Sequence, residues 1–341
     1  MSEKYDIVSV GESLIDFLSS ADGEEITLTG RAGGGPANML ASATRLGRRC
    51  CHISKVGDDA AGRFFIDALS RHGIGTEGIL TDASGALTTL AIVSLDEAGE
   101  RSFAFYREQT ADIMLSADEL DEGILAGCRI LHFSTVSMTS EPARGANLRA
   151  ACLARAAGAR ISFDPNYRAF LWKDESAAIR TMRDAMRLAD YVKLSDEEAA
   201  LLSGKDDPVA AAAALFEEYA PALLAVTLGA GGSMALSGGI FARMPSYDVD
   251  VVDTTGAGDG FWGAMLHRLL LREDAGAGGS GRIGAGAGAG APEASDSPSG
   301  IDESELKDML AYANAAGALA ATKPGGIPAM PTDTEIRALY G

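Results

Sequence analysis

The chain has 341 residues, 47% of them hydrophobic and 23% charged, enough to bury one large α/β core with an appendage. Its formal charge is −19, from 29 Lys and Arg against 48 Asp and Glu, a field that repels phosphate backbones and anionic lipid; neither nucleic acid nor a membrane is an expected partner. No run is apolar enough to span a bilayer, Glu3 and Lys4 do not read as a leader, and Cys50, Cys51, Cys128 and Cys152 lack metal-ligand spacing, so a cytoplasmic protein with reduced thiols is expected.

In chain order, residues 5–10 form a β-rich apolar run that ends at Gly11. Pro36 opens a helical pattern through Met39, Leu40, Ala43 and Leu46, and Gly47 closes it. Ile53 and Val56 mark an extended piece, and Phe64, Phe65, Ala68 and Leu69 another helix. Residues 87–95 and 101–106 are extended runs around Asp96-Glu97-Ala98-Gly99-Glu100, a hairpin signal. Strands near 130–134, 160–164, 191–194, 223–228 and 232–244 then alternate with helices near 141–157 and 176–188, one after 194, and one after Gly256. The last helices lie near 303–321 and 333–340. Repeated strand–helix–strand units predict a mostly parallel sheet covered on both faces, a three-layer α/β/α fold. The segments near 12–32 and 86–107 break that rhythm and predict a small β lid beside the main sheet. Residues 273–300 are rich in Gly, Ala and Ser, and without a hydrophobic face they read as a disordered insertion. Gly276, Gly278 and Gly281 there satisfy G-x-G-x-x-G, but no strand precedes them, so the dinucleotide reading fails its context.

Asp253-Thr254-Thr255-Gly256-Ala257-Gly258-Asp259-Gly260-Phe261 is the richest stretch. It follows a strand-like run and opens a helix, so its glycines leave backbone N–H groups bare at a helix N-terminus, a cradle for an anion. Asp259 alone reads as a capping carboxylate, a role that stabilises by roughly 0.5–2 kcal/mol. A cap needs no bare loop, and a carboxylate beside a phosphate cradle can take a proton from an attacking hydroxyl. Lys193-Leu194-Ser195-Asp196-Glu197-Glu198 carries a capping box, S-x-x-E. His52, His72, His132 and His267 share no spacing and are assigned no chemistry.

The 253–259 segment resembles the second signature of the PfkB, or ribokinase-like, carbohydrate kinases, D-T-x-G-A-G-D. Gly33-Gly34-Gly35-Pro36-Ala37-Asn38 resembles the first, and the strand ending in Gly11-Glu12 with Asp16 shortly after also fits. The likeness runs from residue 5 to about 330, with 273–300 foreign to it. It implies a ribokinase-like sheet with a β lid, ATP and Mg²⁺ as cofactors, K⁺ as a further one, and a sugar as acceptor. By resemblance Asp259 is the base, and Gly256, Ala257 and Gly258 form the anion hole. Asp16, Gly33, Gly34 and Asn38 match sugar-contacting positions. Phe103-Ala104-Phe105-Tyr106-Arg107, with Ala111-Asp112 after it, resembles the F-x-F-Y-R run of bacterial fructokinases, which implies that Phe103 or Phe105 packs on the sugar and Arg107 contacts its oxygens. Plain sheet packing accounts for the two phenylalanines equally well. Arg168 matches a second basic position near substrate and phosphate, and a surface ion pair is its alternative.

Glu198 matches a residue linked to Mg²⁺ through water, with Ser195 where the family often has Asn. Lys193, Thr227, Gly229, Gly232, Gly258, Asn314 and Gly317 match nucleotide-side positions, although close helix packing also explains Gly317. Asp253 and Thr255 match a monovalent-cation loop. Lids of this kind pair across dimers, so a homodimer is expected. Fructokinase leads; 2-keto-3-deoxygluconate kinase, ribokinase and nucleoside kinase are rivals within the family, and a non-catalytic sugar- or nucleotide-binding regulator is the rival from another class. A nicotinamide-dependent oxidoreductase would need a Gly-rich turn after the first strand, and Gly11-Glu12-Ser13-Leu14 is not one.

Overall fold

Strand and helix alternate along the chain, with two hairpins set apart. β1 (Tyr5–Val10) leads into the hairpin β2 (Leu14–Asp22) and β3 (Glu25–Gly33), then α1 (Gly35–Arg45). Next come β4 (Cys50–Gly57), α2 (Ala60–Arg71), β5 (Gly75–Asp82) and a second hairpin, β6 (Thr89–Leu95) with β7 (Arg101–Tyr106). The alternation resumes with α3 (Glu122–Ala126), β8 (Cys128–Ser134), α4 (Ala143–Ala156), β9 (Arg160–Asp164), α5 (Glu175–Met186) and β10 (Tyr191–Ser195). After these come α6 (Asp196–Ser203), α7 (Pro208–Tyr219), β11 (Leu223–Thr227), β12 (Ser233–Ser237) and β13 (Ile240–Met244), then α8 (Ala257–Ala277), α9 (Glu303–Ala320) and α10 (Asp333–Tyr340). This computed structural model describes residues 5–22, 24–95, 101–277 and 300–341.

Nine strands form the main sheet in the order β13-β12-β11-β10-β9-β8-β1-β4-β5. All pairs are parallel except β11–β12 and β12–β13. β1 and β4 are buried at every position, as expected for central parallel strands covered on both faces. One core packs α1, α8 and α9 against the sheet through Met39, Leu40, Trp262, Leu266 and Tyr312. The other packs α4 to α7 through Phe133, Phe163, Met182 and Leu202. Between these layers runs a buried polar row. Ser9 Oγ and Ser13 Oγ meet His52 Nδ1 and Nε2 at 2.8 and 3.2 Å, and Trp262 Nε1 donates to Ser162 Oγ, which is also 2.9 Å from His132 Nδ1. Burial lowers both histidines to about 4, so they are neutral partners within the core.

A four-stranded sheet stands beside the first, in the order β3-β2-β6-β7. β2–β3 and β6–β7 are antiparallel and β2–β6 is parallel. Its register aligns Asp16 with Arg31 and Ala91, and Ala91 with Phe105, so these four share one face. Ile15, Phe17 and Leu90 point the other way and join the core beside Phe65 of α2. One face is thus anchored while the other is free to address a ligand.

Two expectations shift. The strand-like run ahead of Asp253 forms no strand: residues 245–252 are in neither strand nor helix, and Val251 and Val252 are exposed rather than packed in the sheet. Residues 273–277, read as the start of a disordered insertion, continue α8. Arg129 donates to Glu273 and Asp274, and Arg48 also donates to Asp274, which fixes this helical end to the base of the sheet. The remainder of the insertion, 278–299, and the hairpin turn at 96–100 lie outside the described residues. Among the described residues no helix is long and apolar enough to cross a membrane.

Candidate active site

The cleft lies beyond the carboxyl ends of β1, β8, β9 and β10, where open α/β sheets bind ligands. Glu12 follows β1 directly and is fully enclosed. Its Oε1 accepts from Gly35 N at 3.0 Å and its Oε2 from Ser134 Oγ at 3.0 Å, so it shapes the glycine loop that opens α1. Gly34 has φ 113, in the left-handed region, and a Cβ there would come 2.9 Å from Glu12 O. A Cβ on Gly33 would come 2.0 Å from Asp16 Oδ2, so Gly33 lets the loop and this carboxylate lie side by side. Burial raises Asp16 to about 6, the nearby Asp253 charge adds to that, and Arg168 opposes it.

Asn38, in the first turn of α1, donates from Nδ2 to Asp259 Oδ2 at 3.0 Å. Its Oδ1 is buried without a hydrogen-bond partner among the described residues. Asp259 is in the first turn of α8, behind Gly256 with φ 80. The helical ladder starts with Gly260 N donating to Gly256 O at 2.7 Å, so the N–H groups of Gly258 and Asp259 precede it and carry the positive end of the helix dipole. Burial pushes Asp259 up to about 7 and the Asp164 charge adds to this, while the Asn38 hydrogen bond, Lys193 and Arg168 pull the other way. Oδ2 is thus tethered, and Oδ1 lies toward Gly35.

Lys193 Nζ donates to Asp164 Oδ2 at 2.8 Å, with both residues buried. A Cβ on Gly258 would be 3.2 Å from that ammonium, which puts the cation beside the bare helix end. Burial works against the charged lysine, but Asp164 and Glu198 outweigh it and hold its pKa above the usual value. Glu198 accepts from Tyr167 N and Ser195 N, each at 2.7 Å, and Glu198 N completes the capping box with Ser195 Oγ. Cap and cleft residue are therefore one and the same. With both oxygens already bonded, Glu198 suits a hydrated divalent cation reached through water, and its oxygen donors with those of Asp164 suit Mg²⁺.

On the lid side, the rings of Phe105 and Phe170 are 5.1 Å apart, which joins the small sheet to the turn after Arg168. Arg168 is exposed at the mouth, near enough to lower both Asp16 and Asp259, and it donates to Tyr167 O rather than to a surface carboxylate. Arg107 is buried and bonded to Asp112 and to Val136 O. Phe103 belongs to β7, but its side chain lies outside the described residues.

On the nucleotide side, Thr227 ends β11 and donates to Leu194 O. Gly229 and Gly232 adopt positive φ, and a Cβ on Gly232 would come 2.1 Å from Met244 O. Asn314 is bonded throughout: Oδ1 accepts from Ser233 Oγ at 2.8 Å and Nδ2 donates to Pro245 O at 2.9 Å. It shapes the wall of this region through the β12–β13 hairpin. A Cβ on Gly317 would come 3.0 Å from Ala257 O, so Gly317 seats α9 against the first turn of α8. Asp253 Oδ1 accepts from Thr255 N and Oγ1 at 3.0 and 2.7 Å, and its Oδ2 accepts from Gly325 N at 2.9 Å. That carboxylate binds two loops into an oxygen-rich corner behind the helix end, a donor set that suits a monovalent cation.

Residues 4–333 match the pfkB family carbohydrate kinase profile. The chain belongs to the pfkB family of carbohydrate kinases. Probable fructokinase-4 of Arabidopsis thaliana is 36% identical over 99% of this chain and 97% of that protein. A fructokinase from Xylella fastidiosa, solved with bound ATP, aligns with TM-score 0.84 and 31% identity over 98% of both chains. A double-mutant fructokinase from Vibrio cholerae O395, solved with fructose, ADP and potassium ion, aligns with TM-score 0.80 and 27% identity over 100% of both chains.

The pfkB sequence pattern leaves some members of this cleft without a role. Asp164 and Asn166 fall within the Asp164-Pro165-Asn166-Tyr167-Arg168 run, but only the folded chain shows Asp164 against Lys193 and the Asn166 amide against Gly35. Asp112 was likewise visible as part of a motif and without a function.

Proposed function

We propose that this carbohydrate kinase is a fructokinase, moving the γ-phosphoryl group of ATP onto a fructose hydroxyl with Asp259 as general base. The observation that carries the proposal is the Asp259 carboxylate: enclosed, tethered by Asn38 through one oxygen, and placed at a bare helix N-terminus beside the Lys193 ammonium. Asp259 takes the proton of the acceptor hydroxyl while that oxygen attacks the γ-phosphorus. The bond to the bridging oxygen breaks and its electron pair leaves with ADP. The N–H groups of Gly256, Gly258 and Asp259 face the charge on the transferred group, the Ala257 N–H being already donated to Thr254 O at 3.2 Å, and Lys193 and Arg168 add positive potential to a protein with formal charge −19. Asp16 and the unpartnered Asn38 Oδ1 offer acceptors for sugar hydroxyls, and Phe105 offers a ring for the apolar side of the sugar. Glu198, with Asp164, would hold Mg²⁺ through water, and the ion would supply positive charge against the phosphates. Asp253 and Thr255 would lend carboxylate and hydroxyl oxygens to a K⁺, the ion present with the Vibrio relative.

The choice of fructose rests on the Phe103-to-Arg107 run and on the fructokinases among the relatives. A coupled assay over fructose, ribose, 2-keto-3-deoxygluconate and a nucleoside should give the highest kcat/KM with fructose. No turnover of fructose beside good turnover of another acceptor would overturn that choice. The exposed Leu18, Ile26 and Leu28 of the first hairpin support a homodimer joined through the lids, for which light scattering should give twice the chain mass and not the single mass. Cys50, Cys51, Cys128 and Cys152 stand as thiols, which supports a reducing, cytoplasmic setting that fractionation of the native cell would test.

A further inference from the structure

At the root of the small sheet lies an ion pair that the phosphoryl-transfer chemistry does not use. Asp112 follows β7 in a single turn at 111–114, and its side chain is 0% exposed beside an Arg107 side chain at 6%. Asp112 Oδ2 accepts from Arg107 Nε at 3.1 Å and Nη2 at 2.6 Å. Its Oδ1 accepts from Thr89 Oγ1 at 2.5 Å and Thr110 Oγ1 at 2.9 Å. One carboxylate therefore gathers the first residue of β6, the residue after β7 and the segment leading out of the lid. Arg107 Nη1 donates to Val136 O at 2.6 Å, just past β8, which couples this knot to the main sheet. Ala111 N donates to Leu87 O at 2.9 Å and closes the neck of the hairpin. Thr89 is in register with Leu14, two residues after Glu12, the carboxylate that holds the glycine loop.

We infer that Asp112 is a positioning residue for the sugar site, fixing the lid root so that Phe105 and the free edge of Arg107 meet the acceptor. This rests on the proposed reading of the chain as a sugar kinase. Burying a charge pair is a poor way to gain stability, since well-packed apolar residues do as well or better. What a paired fork gives instead is direction. Three of the five guanidinium N–H groups are committed to Asp112 and Val136, so the plane of the group is set and two N–H groups remain. Arg107 and Phe105 both line an opening of about 810 Å³ whose other walls include Thr88, Leu90 and Thr110, outside the Asp16–Asp259 cleft; the tie to that cleft is the Phe105–Phe170 ring pair beside Arg168. Without the carboxylate the guanidinium is free to rotate, and the two lid strands lose their common anchor.

The test is Asp112→Asn, which keeps the shape and removes the charge facing Arg107. With the sugar that the wild type turns over best, KM for sugar is expected to rise about 10–100-fold, the range that misplacement of a binding group produces. KM for ATP should stay within about twofold, because Asp112 touches nothing on the nucleotide side. Unchanged sugar KM, with only a lower melting temperature or a lower active fraction, would reduce Asp112 to a structural role and overturn the inference. If Asp112→Asn does not fold, Thr110→Val, which removes a hydroxyl that holds Asp112 Oδ1 and keeps both Arg107 and the carboxylate, decides in the same direction. A raised sugar KM upholds the inference and a wild-type sugar KM sinks it. Failure of the underlying reading looks different, because the wild type itself would then phosphorylate no sugar in the panel.

Discussion

Asp259→Asn is expected to lower kcat by about 10²–10⁴-fold while sugar and ATP still bind, because it removes the base and keeps the amide-sized group beside Asn38. The pH dependence should change with it. The base acts ionised, so wild-type kcat/KM should rise with pH through about 7, where burial and the Asp164 charge hold Asp259. Asp16, held at about 6, steepens the lower part of that limb. The variant should lose the upper step. Stability should move the other way. The folded pKa lies well above the ordinary value of 3.8, so the protonated form favours folding fully below 3.8, and that benefit is lost as pH rises through about 7. At pH 8 the wild type buries an ionised carboxylate that the variant lacks. Asp259→Asn should therefore melt higher than wild type at pH 8, with the difference shrinking toward pH 4. Such a gain alongside lost activity is the usual sign of a residue kept for chemistry. Turnover near the wild-type level would remove Asp259 from the base position.

Lys193→Met is expected to be the most damaging single change to the fold at this site. It leaves the buried Asp164 without its 2.8 Å partner and the enclosed Glu198 without the nearest cation. Removing one member of a buried pair typically costs about 3–5 kcal/mol. Denaturant titration at pH 8 should show a loss of that size, and a smaller one at lower pH, where Glu198, held above the usual carboxylate range by burial, can take up a proton. The same variant should lose turnover, since the ammonium is beside Gly258, where the proposed function puts the transferred phosphoryl group. A loss below about 1 kcal/mol at pH 8 would show that water reaches the pair and that the cleft is wetter than its burial implies.

Legibility in the sequence followed the range of the interactions. The alternating run at 101–106 announced a hairpin because strand alternation is local, and the register then put Phe105 on the face of Asp16. The 253–259 loop was legible because glycine, helix start and carboxylate fall within seven residues. β5 went unread because Gly75 and Gly78 interrupt an edge strand that carries little apolar signal. The paired helices α6 and α7 read as one, since the Ala-rich stretch at 209–214 blurs the break at Gly204. Glu12 could not be given its role from its neighbours, because its partners lie 23 and 122 residues away. Lys193 and Asp164 meet only because β9 and β10 are adjacent strands that end at the same cleft. Asn314 and Gly317 matched a pattern whose local meaning is packing: one bonds the β12–β13 hairpin and the other lets two helices touch.

The most direct test of the whole account is a crystal structure with fructose and a non-transferable ATP analogue. The predicted result is a sugar beneath Phe105, with one hydroxyl within hydrogen-bond reach of Asp259, about 2.6–3.2 Å, and in line with the γ-phosphorus at the start of α8. A sugar seated away from Asp259, or a γ-phosphate far from the Gly256–Gly258 backbone, would contradict it.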